Sequence, residues 1–247
     1  MPTIVINTFK RFGIACALVL LSLPGSAATS VVILLTKTRI VIAADSRQTL
    51  YGTAVFRNVC KILVRTDFVY TSAGFGKDAK YLDAANTASQ LPTGILIEEQ
   101  IAMYKKEVTN GLNLAMHDIP KETLKNVWKV TDGQVLQVLF VKANGTGIQR
   151  FLIGFDLVGT VENFTVQPYS VPIADEDTVL FFGHWEAIGG YKPQDIIKIG
   201  WTEGPKQLVQ KEIDAEPNEV GPPIQIVDID TKGYKWVQCE SPYVKAP

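Results

Sequence analysis

Residues 29–47 read TSVVILLTKTRIVIAADSR: two runs of mainly β-branched apolar residues, 30–35 and 39–44, divided by Thr36-Lys37-Thr38. Such runs on either side of a short polar break predict a hairpin. A second pair at 59–64 and 68–73 repeats the pattern around Arg65-Thr66-Asp67 and ends in Ala73-Gly74-Phe75-Gly76, so four strands come first. Helical spacing follows over 77 to about 90 and 94 to about 116, where Ile97, Ile101, Tyr104 and Val108 mark one face. Strands resume at 135–141, 148–155, 163–169 and 178–182. A helix from about Gln194, broken at Gly204-Pro205 and resuming through Ile213, leads to a run at 223–230 and a short strand near Trp236. This order predicts an α+β fold of two stacked, mainly antiparallel sheets covered by helices on both faces, a four-layer αββα sandwich.

The composition, 47% hydrophobic and 20% charged, belongs to a globular protein. With 24 Lys+Arg against 25 Asp+Glu, nothing global attracts nucleic acid or an anionic membrane. Three cysteines, with no CxxC pair or His/Cys cluster at zinc spacing, suggest neither a disulfide scaffold nor a metal, and no cofactor is implied.

Residues 1–28 have the pattern of a secretory leader. Lys10 and Arg11 precede an apolar run over 12–23, Pro24-Gly25 breaks it, and Ser26-Ala27-Ala28 supplies small residues for cleavage after Ala28. Twelve apolar residues fall short of the roughly 20 that span a bilayer. The expectation is a secreted or periplasmic protein with no stable membrane span, its single domain covering 29–247 and starting at Thr29. Cys16 leaves with the leader; Cys60 and Cys239 remain in an oxidising compartment, and their pairing is left open.

A freed Thr29 carries a hydroxyl nucleophile and an α-amino base in one residue. The amine has a reference pKa of about 7.7–8.0, so a useful neutral fraction exists at mildly alkaline pH. Asp45 closes the second run sixteen residues later, and Lys61 follows in the third. Cys60, beside Lys61, is expected on the opposite face of that strand, in the core.

Thr29-Ser30-Val31-Val32, Ile42-Ala43-Ala44-Asp45-Ser46-Arg47 with Thr49, Lys61-Ile62, Ala73-Gly74 and Asp78 resemble the catalytic β-type subunits of the proteasome family of N-terminal nucleophile hydrolases. The Lys206-Gln207-Leu208-Val209 helix and the stretch from Val220 to Ile229 resemble that family's last helix and strand. The likeness spans most of 29–247; 29–78 aligns almost without gaps, and the middle, 110–177, is divergent and expanded. It implies Thr29 as nucleophile, Asp45 and Lys61 as the charged pair beneath it, and the Gly74 N–H as oxyanion donor. Arg47 and Asp78 support the site, and Gln48, Val59 and Ser72 line a mixed, weakly charged specificity pocket. Family members stack into rings, so a homo-oligomer or ring is a possible state.

Two departures stand out. Gly183-His184-Trp185 replaces a Gly-Ser-Gly segment, bringing two bulky rings near the nucleophile, and Glu216-Pro217-Asn218-Glu219-Val220 replaces an Asp and a Ser. His184 either replaces a lost polar group near Thr29 or is an ordinary loop histidine; His117 is expected to follow the second helix, among polar residues, and to have no chemical role. The leading expectation is a threonine hydrolase of amide bonds, a peptidase acting through an acyl-enzyme. The alternatives are a small-amide acylase or amidase of the same fold and an inactive secreted scaffold.

Overall fold

Thr36 closes the first hairpin by accepting the Arg39 N–H on Oγ1 and donating its own N–H to Arg39 O. The computed structural model describes residues 29–49, 56–173 and 177–238. Strand β1 (Ser30–Leu35) pairs antiparallel with β2 (Arg39–Ala44), Ile33 opposite Ile42. Every β1 residue is buried, because both faces of the strand are covered. Val31, Ile33 and Leu35 share one apolar cluster and Val32 and Leu34 another. That explains a continuous apolar run where a half-exposed strand would alternate.

Two five-stranded antiparallel sheets organise the described residues. In the first, β10 (Thr178–Gly183), β1, β2, β11 (Gln225–Asp230) and β12 (Gly233–Gln238) lie in that order. The second is a meander of β5 (Ile62–Val64), β6 (Val69–Gly74), β7 (Gln134–Ala143), β8 (Ile148–Thr160) and β9 (Asn163–Val171). A two-stranded ribbon, β3 (Arg47–Thr49) with β4 (Phe56–Asn58), stands apart.

Five helices complete the fold: α1 (Ala84–Ser89), α2 (Ile97–Asp118), α3 (Lys121–Thr131), α4 (Pro193–Ile199) and α5 (Glu203–Ala215). Ile97, Ile101, Tyr104, Val108 and Leu112 form the buried stripe of α2, as their spacing predicts. They pack on Tyr70, Val138, Phe140 and Phe155 of the second sheet. The Tyr104 ring meets those of Tyr70 and Phe140 edge-on, and its hydroxyl bonds that of Tyr70 at 2.9 Å, so the one polar tip of each buried tyrosine is satisfied. Helices α4 and α5 contribute Ile196, Leu208, Val209 and Ile213 to the cluster that covers Val32 and Leu34.

The mixed class and the two antiparallel sheets agree with the sequence reading; several boundaries do not. The run at 59–64 contributes a strand only at its end, because Val59 N–H donates to Ser46 O and Lys61 N–H donates to the Gln225 side chain. The helix expected from 77 begins only at Ala84. Asp78 Oδ1 accepts the Lys80 and Tyr81 N–H groups and holds a turn, and Asp83 then caps α1 by accepting the Asn86 N–H. Helix α3, in the divergent middle, was not anticipated. The break between α4 and α5 falls at Gly200, with φ 135°, rather than at Gly204-Pro205. Pro205 lies inside the first turn of α5, where a missing N–H has no intrahelical partner to lose.

Candidate active site

Asp45 follows the last residue of β2, and its own N–H donates to Ser30 O, which extends the ladder by one bond. Its carboxylate is fully buried and receives four donors. Oδ1 takes the Ser30 N–H at 2.9 Å and the Lys61 ammonium at 2.6 Å; Oδ2 takes the Arg47 N–H at 3.0 Å and the Gly221 N–H at 3.2 Å. A buried carboxylate is tolerable only when its lone pairs are met in this way.

Lys61 is 6% exposed at its side chain. Burial is the strongest influence on its ammonium and lowers its pKa below the ordinary lysine value, while the charge and hydrogen bond of Asp45 oppose that shift. The backbone around it is held by long-range contacts. Gln225, at the start of β11, accepts the Lys61 N–H on Oε1 and donates Nε2 to Val59 O, and Thr71 Oγ1 donates to Lys61 O.

Thr29 is 4% exposed, and its carbonyl accepts the His184 N–H at 2.7 Å. That contact requires Gly183, which has φ 73° and lies so close to Thr29 O that a Cβ would overlap it. Gly74 also needs its freedom, with φ 107° and no room for a Cβ against Val135 O. Phe75 N–H points to β7, where it donates to Val135 O. By strand alternation the Gly74 N–H faces the other edge of β6, the side of β5 and Lys61.

Thr29, Lys61 and Gly74 line one cavity of about 360 Å³ together with Gln48, Val59 and Ser72. Six residues expected at the nucleophile and its pocket thus border one space, and Asp45 supports it from beneath through Lys61. The remaining three do not line it. Arg47 lies along Gly221 and donates from its guanidinium to Pro217 O, tying the 216–221 loop to the Asp45 end of the site. Asp78 is the turn residue described above. The His184 side chain stands 3.9 Å from Glu186, and this residue reaches Thr29 through its backbone.

Three expectations about neighbouring residues need correction. The two rings of the 184–185 segment do not line the cavity: Trp185 packs over Gly189 and, partly buried, against the apolar cluster beneath α4 and α5. Cys60 is half-buried and borders the cavity rather than lying in the core, its Sγ donating to Ile62 O, because residues 59–61 precede β5 and do not follow strand alternation. His117 lies within α2, its Nδ1 on Asn113 O and its ring stacked on Phe164 at 4.4 Å. Cys239 and Glu240 to Pro247 lie outside the described residues, and so does the leader at 1–28.

The far part of the cavity comes from residues that sequence reading did not single out. Leu63 and Tyr70 supply apolar wall, and Asp83, Asn86 and Ser89 supply polar groups from α1 and its cap. Charge there is compensated, since Lys77 donates to Asp83 at 2.6 Å. Gln225 and Glu212 were also missed. Gln225 acts across more than 160 residues of chain, which leaves no local trace. Glu212 did leave a signal: a carboxylate in the same stripe as Leu208, Val209 and Ile213.

Among the described residues no group of three or more His, Cys, Asp or Glu side chains is placed to hold a metal ion. No helix among them is long and apolar enough to cross a membrane. No protein-family model matches the chain, and no curated protein matches it.

Proposed function

We propose that the chain is an exported N-terminal threonine hydrolase of amide bonds, a peptidase in the first instance, activated when its leader is cut after Ala28. The observation that carries this reading is the shared cavity: a threonine that cleavage makes N-terminal, a buried lysine and an outward backbone N–H all border it. The layering supports the same reading. One apolar cluster joins the two sheets, a second joins α1, α2 and α3 to the second sheet, and a third joins α4 and α5 to the first, as a four-layer αββα sandwich requires.

In the proposed reaction the Thr29 Oγ attacks the scissile carbonyl carbon as its proton passes to the freed α-amine. The Lys61 ammonium, oriented by Asp45, favours the alkoxide character of Oγ through its positive charge. The developing oxyanion takes the Gly74 N–H. Collapse of the tetrahedral intermediate breaks the C–N bond, and the amine product leaves with the proton held by the α-amine. Water, deprotonated by that same amine, then attacks the ester, which releases the acid and restores the Thr29 hydroxyl. Thr29 can take this part only with its amine free, so signal-peptide removal is itself the activating step, and no separate autolytic propeptide step is needed.

Terminal sequencing of protein recovered after export tests the processing step. The expected first residue is Thr29; a chain beginning at Ser30, or retaining Met1, overturns the proposal.

A further inference from the structure

We infer that Glu212 is a positioning residue for Thr29: through the loop at 184–187 its carboxylate holds the Thr29 carbonyl in place. The inference rests on the hydrolase reading for its kinetic consequence and on the fold alone for its structural one.

Asp45 and Glu212 are the acidic residues that the fold buries completely among the described residues, and their surroundings contrast. Asp45 has four donors. Glu212 has one: its Oε1 accepts the Ala187 N–H at 2.8 Å, and its buried Oε2 has no hydrogen-bond partner among the described residues. It projects from α5 beside Leu208, Val209 and Ile213, where a leucine would pack with no carboxylate oxygen to satisfy but would take the acceptor from the Ala187 N–H. A carboxylate kept in such a place is costly to the fold, and its one bond shows what it holds.

That bond anchors Ala187, three residues after His184, whose N–H donates to Thr29 O at 2.7 Å. Between these two attachments the loop is drawn tight. Trp185 O accepts the N–H groups of Ile188 and Gly189, and the Trp185 ring lies against Gly189. The segment therefore transmits position from α5 to the residue whose hydroxyl must sit within reach of its substrate. The charged and titratable groups that face Glu212 are His184 and Glu186 from the loop and Glu216 from the end of its own helix. Burial pushes the Glu212 carboxyl above the ordinary carboxylate range, and the Ala187 N–H opposes that shift.

Glu212→Leu and Glu212→Gln, made in the chain that starts at Thr29, separate positioning from packing. Leucine fills the volume without an acceptor; glutamine keeps the acceptor without the charge. Glu212→Leu is expected to melt no lower than wild type at neutral pH, yet to lower kcat about 10²-fold, the scale set by a misplacement of about 1 Å, with KM little changed. Glu212→Gln is expected to restore most of kcat. Amide exchange gives a reading that needs no activity: His184 and Ala187 lose protection in Glu212→Leu and keep it in Glu212→Gln. Should the wild-type chain show no turnover, the hydrolase reading fails while the exchange result still decides whether Glu212 holds the loop. Wild-type kcat and protection in folded Glu212→Leu, or equal loss in both variants, would overturn the inference.

Discussion

In the chain that begins at Thr29, Lys61→Ala is expected to lower kcat on a fluorogenic peptide amide by at least about 10²-fold, the usual size of lost acid–base assistance. The ammonium is the positive charge bordering the cavity closest in role to the Thr29 hydroxyl, and Asp45 holds it at 2.6 Å. The same change removes one partner of a buried ion pair, a loss that typically costs about 3–5 kcal/mol. Asp45 retains three backbone N–H donors, so part of that cost is offset and the fold is expected to survive. Lys61→Met, which fills the space of the stem, separates the two effects: it should melt closer to wild type and remain as slow as Lys61→Ala. Lys61→Arg should not restore turnover, because a planar guanidinium does not fit a site shaped for a single ammonium. Near wild-type kcat in folded Lys61→Met would remove Lys61 from the mechanism.

A second large effect is expected at Gly183. Alanine there meets two obstacles: a backbone at φ 73° and a Cβ that overlaps Thr29 O. The conformational strain alone costs about 1–3 kcal/mol. Relief of the overlap must displace Thr29 or break its bond from the His184 N–H, and a shift of about 1 Å at a reacting group is enough to cost about 10²-fold in rate. Gly183→Ala should therefore melt below wild type and lose turnover beyond what the folded fraction explains. Gly190→Ala is the control, since nothing lies within 4 Å of a Cβ added there. Equal melting temperatures and rates for the two variants would contradict the account of how Thr29 is held.

The hairpin at 30–44 was legible because it is local, whereas the pairing of Asp45 with Lys61, sixteen residues apart, was implied only by the family resemblance. The apolar runs set the strands, and a carboxylate placed where β2 ends takes one backbone donor from the residues that follow, Arg47, and one from the neighbouring strand, Ser30. Other parts of the site were hidden because they are made by groups without a sequence signature. In the 183–185 and 216–221 segments the contacts found come from the backbone: Gly221 N–H reaches Asp45, Pro217 O receives Arg47, and His184 N–H holds Thr29. Backbone groups are the same at every position, so only the fold discloses which are used. The His184 ring, read as a possible replacement, stands near Glu186 for the same reason: the loop is held by its peptide groups, and its side chains are left to pack elsewhere. The far wall of the cavity escaped notice because α1 begins later than its helical residues suggest. The turn built on Asp78 delays it and brings Asp83, Asn86 and Ser89 to the cavity.

The most direct test is mass spectrometry of the exported protein after treatment with a peptide β-lactone, an electrophile that acylates an activated hydroxyl. The account predicts one adduct per chain, located on Thr29 Oγ at the terminus, and none in Thr29→Ala or in the chain that retains residues 1–28. An unmodified Thr29, or an adduct placed instead on Cys60 or Lys61, would contradict it.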